Sequence, residues 1–403
     1  MIATRSRDGV WRCGGLMLVL LQLVMLDGRS SSAADAAQPG TGNESSGLHW
    51  KRLPDYPGAL GVAGPFVGVH QDALIVAGGA NFPHPVWQSE KVWHDRIVVL
   101  TKIDDKFIWQ EAGRLERPIA YGTAVSTAAG VVCMGGSDAD RCYDEVFLLR
   151  WDPGSRSINQ VELPPMPCPC AYGQAALIGD VIYLAGGQSA NGFDSAMQNF
   201  WTLDLSAMKK PDAFRWHQTS SVPGGPRAFN LTVANDNADD PRVYVMSGRR
   251  QTADDVRFLK DLWEYRPKSS QWQRLADLPR CVMAGTAIAS GKDRFVVLGG
   301  ADGTLFSKAD DLKDQHPGFP KEALSYHAST DHWSSAGPIP QNSVTTIPVK
   351  WNDQVIIASG EVRPRVRSKA VWSITVNSDF GDNRDKRAAP QKADALEKQN
   401  SSR

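Results

Sequence analysis

The sequence predicts an all-β protein, a closed ring of six four-stranded blades, on three observations. Six short aliphatic runs end in a small residue followed by glycine: IVAGG at Gly79, VVCMGG at Gly136, IYLAGG at Gly187, VYVMSG at Gly248, FVVLGG at Gly300 and VIIASG at Gly360. The intervals between these glycines are 57, 51, 61, 52 and 60 residues, the behaviour of a structural repeat. Tryptophan recurs late in the units, at Trp109, Trp216, Trp272 and Trp333, with Ile158 at that place in the second unit. A β-sandwich of short strands does not account for such recurrence, whereas a blade of four strands with a double glycine and a tryptophan is the kelch-type propeller unit.

Each unit supplies its strands in the same order. An apolar run opens it, as in AYGTAVS from Ala120 or AYGQAALI from Ala171, and the glycine-terminated run is the second strand. A variable polar stretch leads to the third, in DRIVVLT, DEVFLLRW, NFWTLDL, KDLWEYR, ALSYHAS and KAVWSIT. The tryptophan run is the fourth. Proline follows in LPPMP, SVPGGP, ADLPR and GPIPQ, which suits a turn between blades. The sixth unit offers strands near Val344–Lys350, Gln354–Ser359 and Lys369–Val376 and lacks a fourth. LHWKRLP, with Trp50, lies at the other end of the chain and is expected to complete that blade, leaving no free sheet edge. The propeller is therefore expected over 48–376.

Residues 1–37 read as a secretory signal peptide: Arg5, Arg7 and Arg12, then the apolar GGLMLVLLQLVML, then small residues. The apolar run is short for a membrane span. Residues 38–47 read as a linker, and 377–403, charged and rich in Pro, Ala and Lys, as a disordered tail. The expected location is the periplasm or the exterior. Forty-four basic residues balance 44 acidic ones, so no global field draws the chain to nucleic acid or to anionic lipid. The five cysteines beyond the leader (Cys133, Cys142, Cys168, Cys170 and Cys281) contain no CxxC pair, and Cys133 reads as a small core residue. His84 and His94 are the loop histidines worth watching, and no histidine cluster suggests a metal.

In a propeller the loops between strands two and three share one face with the links between blades, so chemistry is sought after the glycine pairs and before each innermost strand. Arginines recur there: Arg117, Arg227, Arg249 and Arg280, joined by Arg363, Arg365 and Arg367 in the last unit. Guanidiniums around one mouth suit a carboxylate, while the plainer reading has them bonding neighbouring carbonyls. Glu361 follows Gly360 directly, so it leaves a rigid strand end with arginines two, four and six residues beyond it. It can accept a proton from a hydroxyl brought within reach, or serve only as a structural ion pair. Tyr121 and Asn81 are pocket-lining candidates on position.

These segments carry a resemblance. SGEVRPRVRSKAVWSI (Ser359 to Ile374) resembles the Asn-Gly-Glu-x-Lys-Pro-x-x-Arg-Thr segment of the kelch-type N-acetylneuraminate epimerases, the sialic acid mutarotases. GVAGPFVGVHQDALIVAGGANF (Gly61 to Phe82), GGPRAFN and SYHASTDHWSSAG are similar to other segments of that family. In the familiar enzymes the Glu-bearing blade runs directly into the Gly-Val-Ala-Gly blade; here the first lies late in the chain and the second early, so the chain resembles the cyclically permuted mutarotase branch. The resemblance implies Glu361 as proton acceptor and Arg367 as its arginine, with Arg363 in place of the family lysine, Ser359 in place of asparagine and Arg365 in place of glycine.

The function implied is an isomerase that interconverts the α and β anomers of N-acetylneuraminate, with Glu361 and Arg367 catalytic. Arg117, Arg227, Arg280, Arg363, Tyr121 and Asn81 are the expected substrate-binding residues. No cofactor or metal is required, because ring opening and reclosure involve neither redox chemistry nor phosphate. The expected partner is a small sugar acid, with no nucleic acid, no membrane once the leader is removed, and a homodimer allowed for. The competing class is a non-catalytic kelch propeller that binds anionic glycans or acidic peptides. A copper radical oxidase on a similar ring lacks its Tyr/His ligand set here.

Overall fold

The computed structural model describes residues 47–236 and 239–377; the expected leader, nearly all of the linker and nearly all of the tail lie outside them. Among the described residues there are six four-stranded antiparallel sheets, arranged as a six-bladed propeller. Blade 1 runs from Phe66–His70 to Lys106–Arg114, blade 2 from Thr123–Thr127 to Ser157–Leu163, and blade 3 from Gln174–Ile178 to His217–Gln218. Blade 4 runs from Leu231–Asn235 to Gln271–Leu275 and blade 5 from Thr286–Ser290 to His332–Pro338. Blade 6 takes Pro348–Trp351, Gln354–Ala358 and Val371–Val376 from late in the chain and Leu48–Leu53 from early in it. The last two pair antiparallel from Leu48 opposite Val376 to Leu53 opposite Val371, so the ring closes through backbone ladder bonds.

The second strand of each blade is buried on both faces, which is why it reads as an unbroken aliphatic run rather than an alternation. Side chains from neighbouring blades interlock into six separate cores, one at each blade interface. Phe66, Ile75 and Val99 of blade 1 meet Phe147 and Trp151 of blade 2, for example, and Leu74 and Val98 meet Trp351 and Ile356 of blade 6. The outer-strand tryptophans join the blades with a polar handle as well as apolar area. Trp109, Trp216 and Trp333 donate their indole N–H at 3.0 Å to the carbonyls of Pro54, Pro164 and Ala276, each in the preceding blade's exit, and Trp272 donates to Ser220.

In the sixth unit the strands are shorter than the sequence suggests, because the flanking residues serve the ring instead of the sheet. Val344 forms a bridge to Glu361, Ser359 takes a left-handed conformation, and its N–H bonds the Ala370 carbonyl at 2.9 Å. The Ser359 hydroxyl is fully buried, its one proton within reach of the carbonyls of Val62 and Ser368, and it accepts from the Val62 N–H at 2.8 Å, which fastens blade 6 to blade 1. Ser247 makes the corresponding bond to the Val282 N–H between blades 4 and 5. Among the described residues no helix is long and apolar enough to cross a membrane.

Candidate functional site

The channel is fixed by a cycle of backbone hydrogen bonds. Gly64, Tyr121, Tyr172, Phe229, Ala284 and Thr345, one per blade link, all take positive φ between 53° and 66°. The N–H of each bonds the carbonyl of the one before, and Gly64 bonds Thr345, at 2.6 to 2.8 Å. A left-handed backbone is costly for residues with a side chain, and here six mutually dependent bonds impose it. The three aromatic members stack, Tyr121 on Tyr172 with centroids 4.7 Å apart and Tyr172 on Phe229 at 4.4 Å, and fill one side of the neck. Gly64, Ala284 and Thr345 leave the other side open.

Just outside this cycle, six antiparallel bridges hold the residues that follow the glycine pairs. Ala80, Ser137, Gln188, Arg249, Ala301 and Glu361 occupy equivalent places. Arg249 and Glu361 therefore stand two blades apart with only the small Ala301 between them. Over that gap lies a cavity of about 770 Å³, walled by Phe229, Arg249, Met283, Thr345, Glu361 and the segment Ala301–Pro320. Its volume is in the range of small-molecule sites.

Glu361 enters this cavity from a hairpin, Glu361–Arg363 with Val366–Arg367, in which Glu361 and Arg367 are directly opposed. Its Oε1 accepts the Arg365 backbone N–H at 3.0 Å and its Oε2 lies 3.2 Å from Arg367 Nη2. The Arg367 side chain is 4% exposed and that of Glu361 17%. Burial works against the Arg367 charge, but Glu361 and the Tyr121 hydroxyl, 3.4 Å away, outweigh it and raise the guanidinium above its ordinary value. Arg367 Nε and Nη1 are buried without a hydrogen-bond partner, and the guanidinium lies over the Phe82 ring at 4.8 Å, with Arg365 over the same ring at 4.0 Å.

The other expected substrate-binding residues have partners within the protein. Arg117 pairs with Glu145 and lies over Tyr143. Arg227 is 0% exposed, forked on Asp261 at 2.7 and 3.0 Å and bonded to the carbonyls of Ser247 and Pro223. Arg280 donates to the carbonyls of Cys281, Gly299, Gly300 and Glu322. Arg363 holds Asp314 through both terminal nitrogens. Asn81 donates its amide to the Gly61 carbonyl at 3.1 Å and does not line the cavity. Tyr121 lines the narrow neck and touches Arg367 rather than the cavity itself. A linking arginine beside a blade exit finds carbonyls and a carboxylate within reach before any ligand arrives, so its position alone does not identify a site.

Two further cavity residues carry chemistry: Arg249, which the sequence already places among the arginines of the mouth, and His316, which it does not single out. Arg249 sits between the Phe229 and Phe306 rings at 4.8 and 4.9 Å, and burial pulls its guanidinium down to about 10. His316, 6% exposed, comes from the 302–320 segment of blade 5, and its Nδ1 accepts the Gly318 N–H at 3.0 Å. Burial, reinforced by Arg363, holds this imidazole below its ordinary 6.5 against the opposing pull of Asp302 and Glu361. The available signal for His316 was length: 299–321 is the longest connection between second and third strands in the six blades. The five cysteines of the described residues are free thiols, and Cys133 is fully buried in the core.

Residues 163–316 match the family model NANM, N-acetylneuraminate epimerase. Among curated proteins, the chain is 30% identical over 236 residues to an N-acetylneuraminate epimerase of Haemophilus influenzae, covering 53% of this chain and 59% of that protein. It is 27% identical over 241 residues to one of Yersinia enterocolitica, covering 53% and 57%, and 34% identical over 129 residues to one of Brucella suis, covering 28% and 32%. The chain thus spans less than two thirds of the length of the curated relatives it matches. The solved structure of YjhT resembles it with a TM-score of 0.60 at 15% identity, over 80% of this chain and 97% of that one, a likeness of fold.

Proposed function

We propose that this propeller is a mutarotase interconverting the anomers of N-acetylneuraminate, with Glu361 as its general base, a reading supported by the match of residues 163–316 to the N-acetylneuraminate epimerase family model. The observation that carries the reading is the Glu361–Arg367 pair on a two-stranded hairpin at the wall of the cavity. The substrate is a cyclic hemiketal with a carboxylate on its anomeric carbon. Glu361 takes the proton of the anomeric hydroxyl, the ring opens to the ketone, and reclosure on the other face recovers the proton. Arg367 and the Arg365 N–H orient the Glu361 carboxylate. Arg249, on the cavity wall two blades away, supplies positive charge for a sugar acid, with Arg367 adding its charge from behind Glu361.

The permuted order has support of its own. Each sequence match covers at most about half of this chain, while the fold likeness covers 97% of YjhT. A ring opened at a different blade boundary gives that combination, since a continuous alignment breaks where the order of blades changes.

The test is exchange-resolved proton NMR on N-acetylneuraminate. Wild type accelerates anomer exchange, and Glu361→Gln, with its fold verified by circular dichroism, loses about 10²–10⁴-fold. Equal acceleration by both proteins removes Glu361 from the role. No acceleration by wild type turns the reading toward a propeller that binds anionic glycans or acidic peptides.

A further inference from the structure

Ring opening demands two groups, one to take the hydroxyl proton and one to hold the charge that develops on the departing ring oxygen. Glu361 fills only the first. We infer that His316 fills the second, with its Nε2–H donating to the ring oxygen of the substrate; this rests on the mutarotase reading above.

Three features of the structure lead to His316. It shares the cavity wall with Glu361. Its tautomer is set by its own backbone: the Gly318 N–H occupies the Nδ1 lone pair at 3.0 Å, so the proton of the neutral ring resides on Nε2. Its segment is fastened to the Glu361 hairpin from both sides. Arg363, two residues after Glu361, grips Asp314, two residues before His316. Gly318 lies so close that a Cβ there would be 2.9 Å from the Val362 carbonyl oxygen. Donor and base are thus held by one assembly of two elements.

Burial favours the neutral imidazole, and a neutral N–H acts as an electrophile without demanding full proton release. The step balances as follows. Glu361 takes the hydroxyl proton, and that O–H electron pair becomes the second bond of the ketone. The bond from the anomeric carbon to the ring oxygen breaks with its pair on the ring oxygen, which His316 Nε2–H stabilises. The ketone turns about its neighbouring carbon–carbon bond, the ring oxygen attacks the other face, and Glu361 returns its proton to the new hydroxyl.

The test uses the full chain with N-acetylneuraminate. His316→Phe is expected to lower kcat by about 10²–10³-fold, the usual cost of removing one such donor, with KM changed by no more than about threefold. His316→Gln retains a side-chain N–H and recovers part of that loss. Nitrogen-15 NMR of the wild-type imidazole is expected to place the proton on Nε2. A kcat unchanged in both variants overturns the inference while wild-type exchange leaves the mutarotase standing. A proton on Nδ1 overturns it without reference to activity, and this readout remains if His316→Phe fails to fold. A wild type that does not accelerate exchange overturns the mutarotase reading and the His316 role with it.

Discussion

Arginine and histidine side chains in this protein divide by what surrounds them. Arg227 is enclosed with Asp261, whose side chain is 14% exposed, and breaking such a buried pair leaves a carboxylate without its partner. Arg227→Ala is expected to lose about 3–5 kcal/mol in urea unfolding, whereas an effect confined to substrate KM would return this residue to the site. His70 and His94 are held below their ordinary 6.5, in each case chiefly by burial, and His316 likewise. The unfolded chain then binds more protons than the folded one between those lowered values and 6.5, so stability falls as pH drops through that window. His70 accepts the Trp151 N–H at 3.0 Å on Nδ1, which fixes its neutral form. Urea midpoints from pH 7.5 to pH 5.5 are expected to decline, with a shallower slope in His70→Gln. A flat profile would refute the assignment.

At the scale of elements, the site depends on the contact between the Glu361 hairpin and the Ala301–Pro320 segment. Gly318 has φ +91° and faces the Val362 carbonyl, so an added methyl meets both backbone strain and a clash. Gly318→Ala is expected to displace the segment and lower kcat at least tenfold, at a stability cost of about 1–3 kcal/mol. A normal rate in that variant would show that the segment does not have to lie against the hairpin. Asp314→Ala removes an ion pair whose members are 28% and 71% exposed, so its unfolding free energy should change by less than about 1 kcal/mol.

The whole molecule is a ring, and a ring does not depend on where the chain is cut. The Asn377 N–H bonds the Gly47 carbonyl at 3.0 Å, so the two ends of the described region are already adjacent. A permutant that joins 377 to 47 by a short linker and opens between blades 3 and 4 keeps every ladder pairing. It is expected to unfold within a few degrees of the parent and to retain activity. Deleting residues 1–53 instead uncovers the Val371–Val376 edge, and size-exclusion chromatography should then report association or aggregation. A deleted protein that stays monomeric and equally stable would show that the Leu48–Leu53 strand is dispensable to closure.

The glycine pairs, the periodic tryptophans and the short LHWKRL strand determine the six blades and their closure, because burying both faces of an inner strand demands an aliphatic run and a tight exit. Glu361 was legible for the same reason: it stands next to Gly360, and a strand end fixes where its side chain begins. The fates of Arg117, Arg227, Arg280 and Arg363 were not legible, since identical guanidiniums differ only in which carbonyl or carboxylate packing brings within reach. Tertiary structure alone decided that Gly64, Ala284 and Thr345 open one side of the neck. It alone brought His316 to the cavity of Glu361, through the contact of the long blade-5 connection with the Glu361 hairpin, which no local spacing encodes.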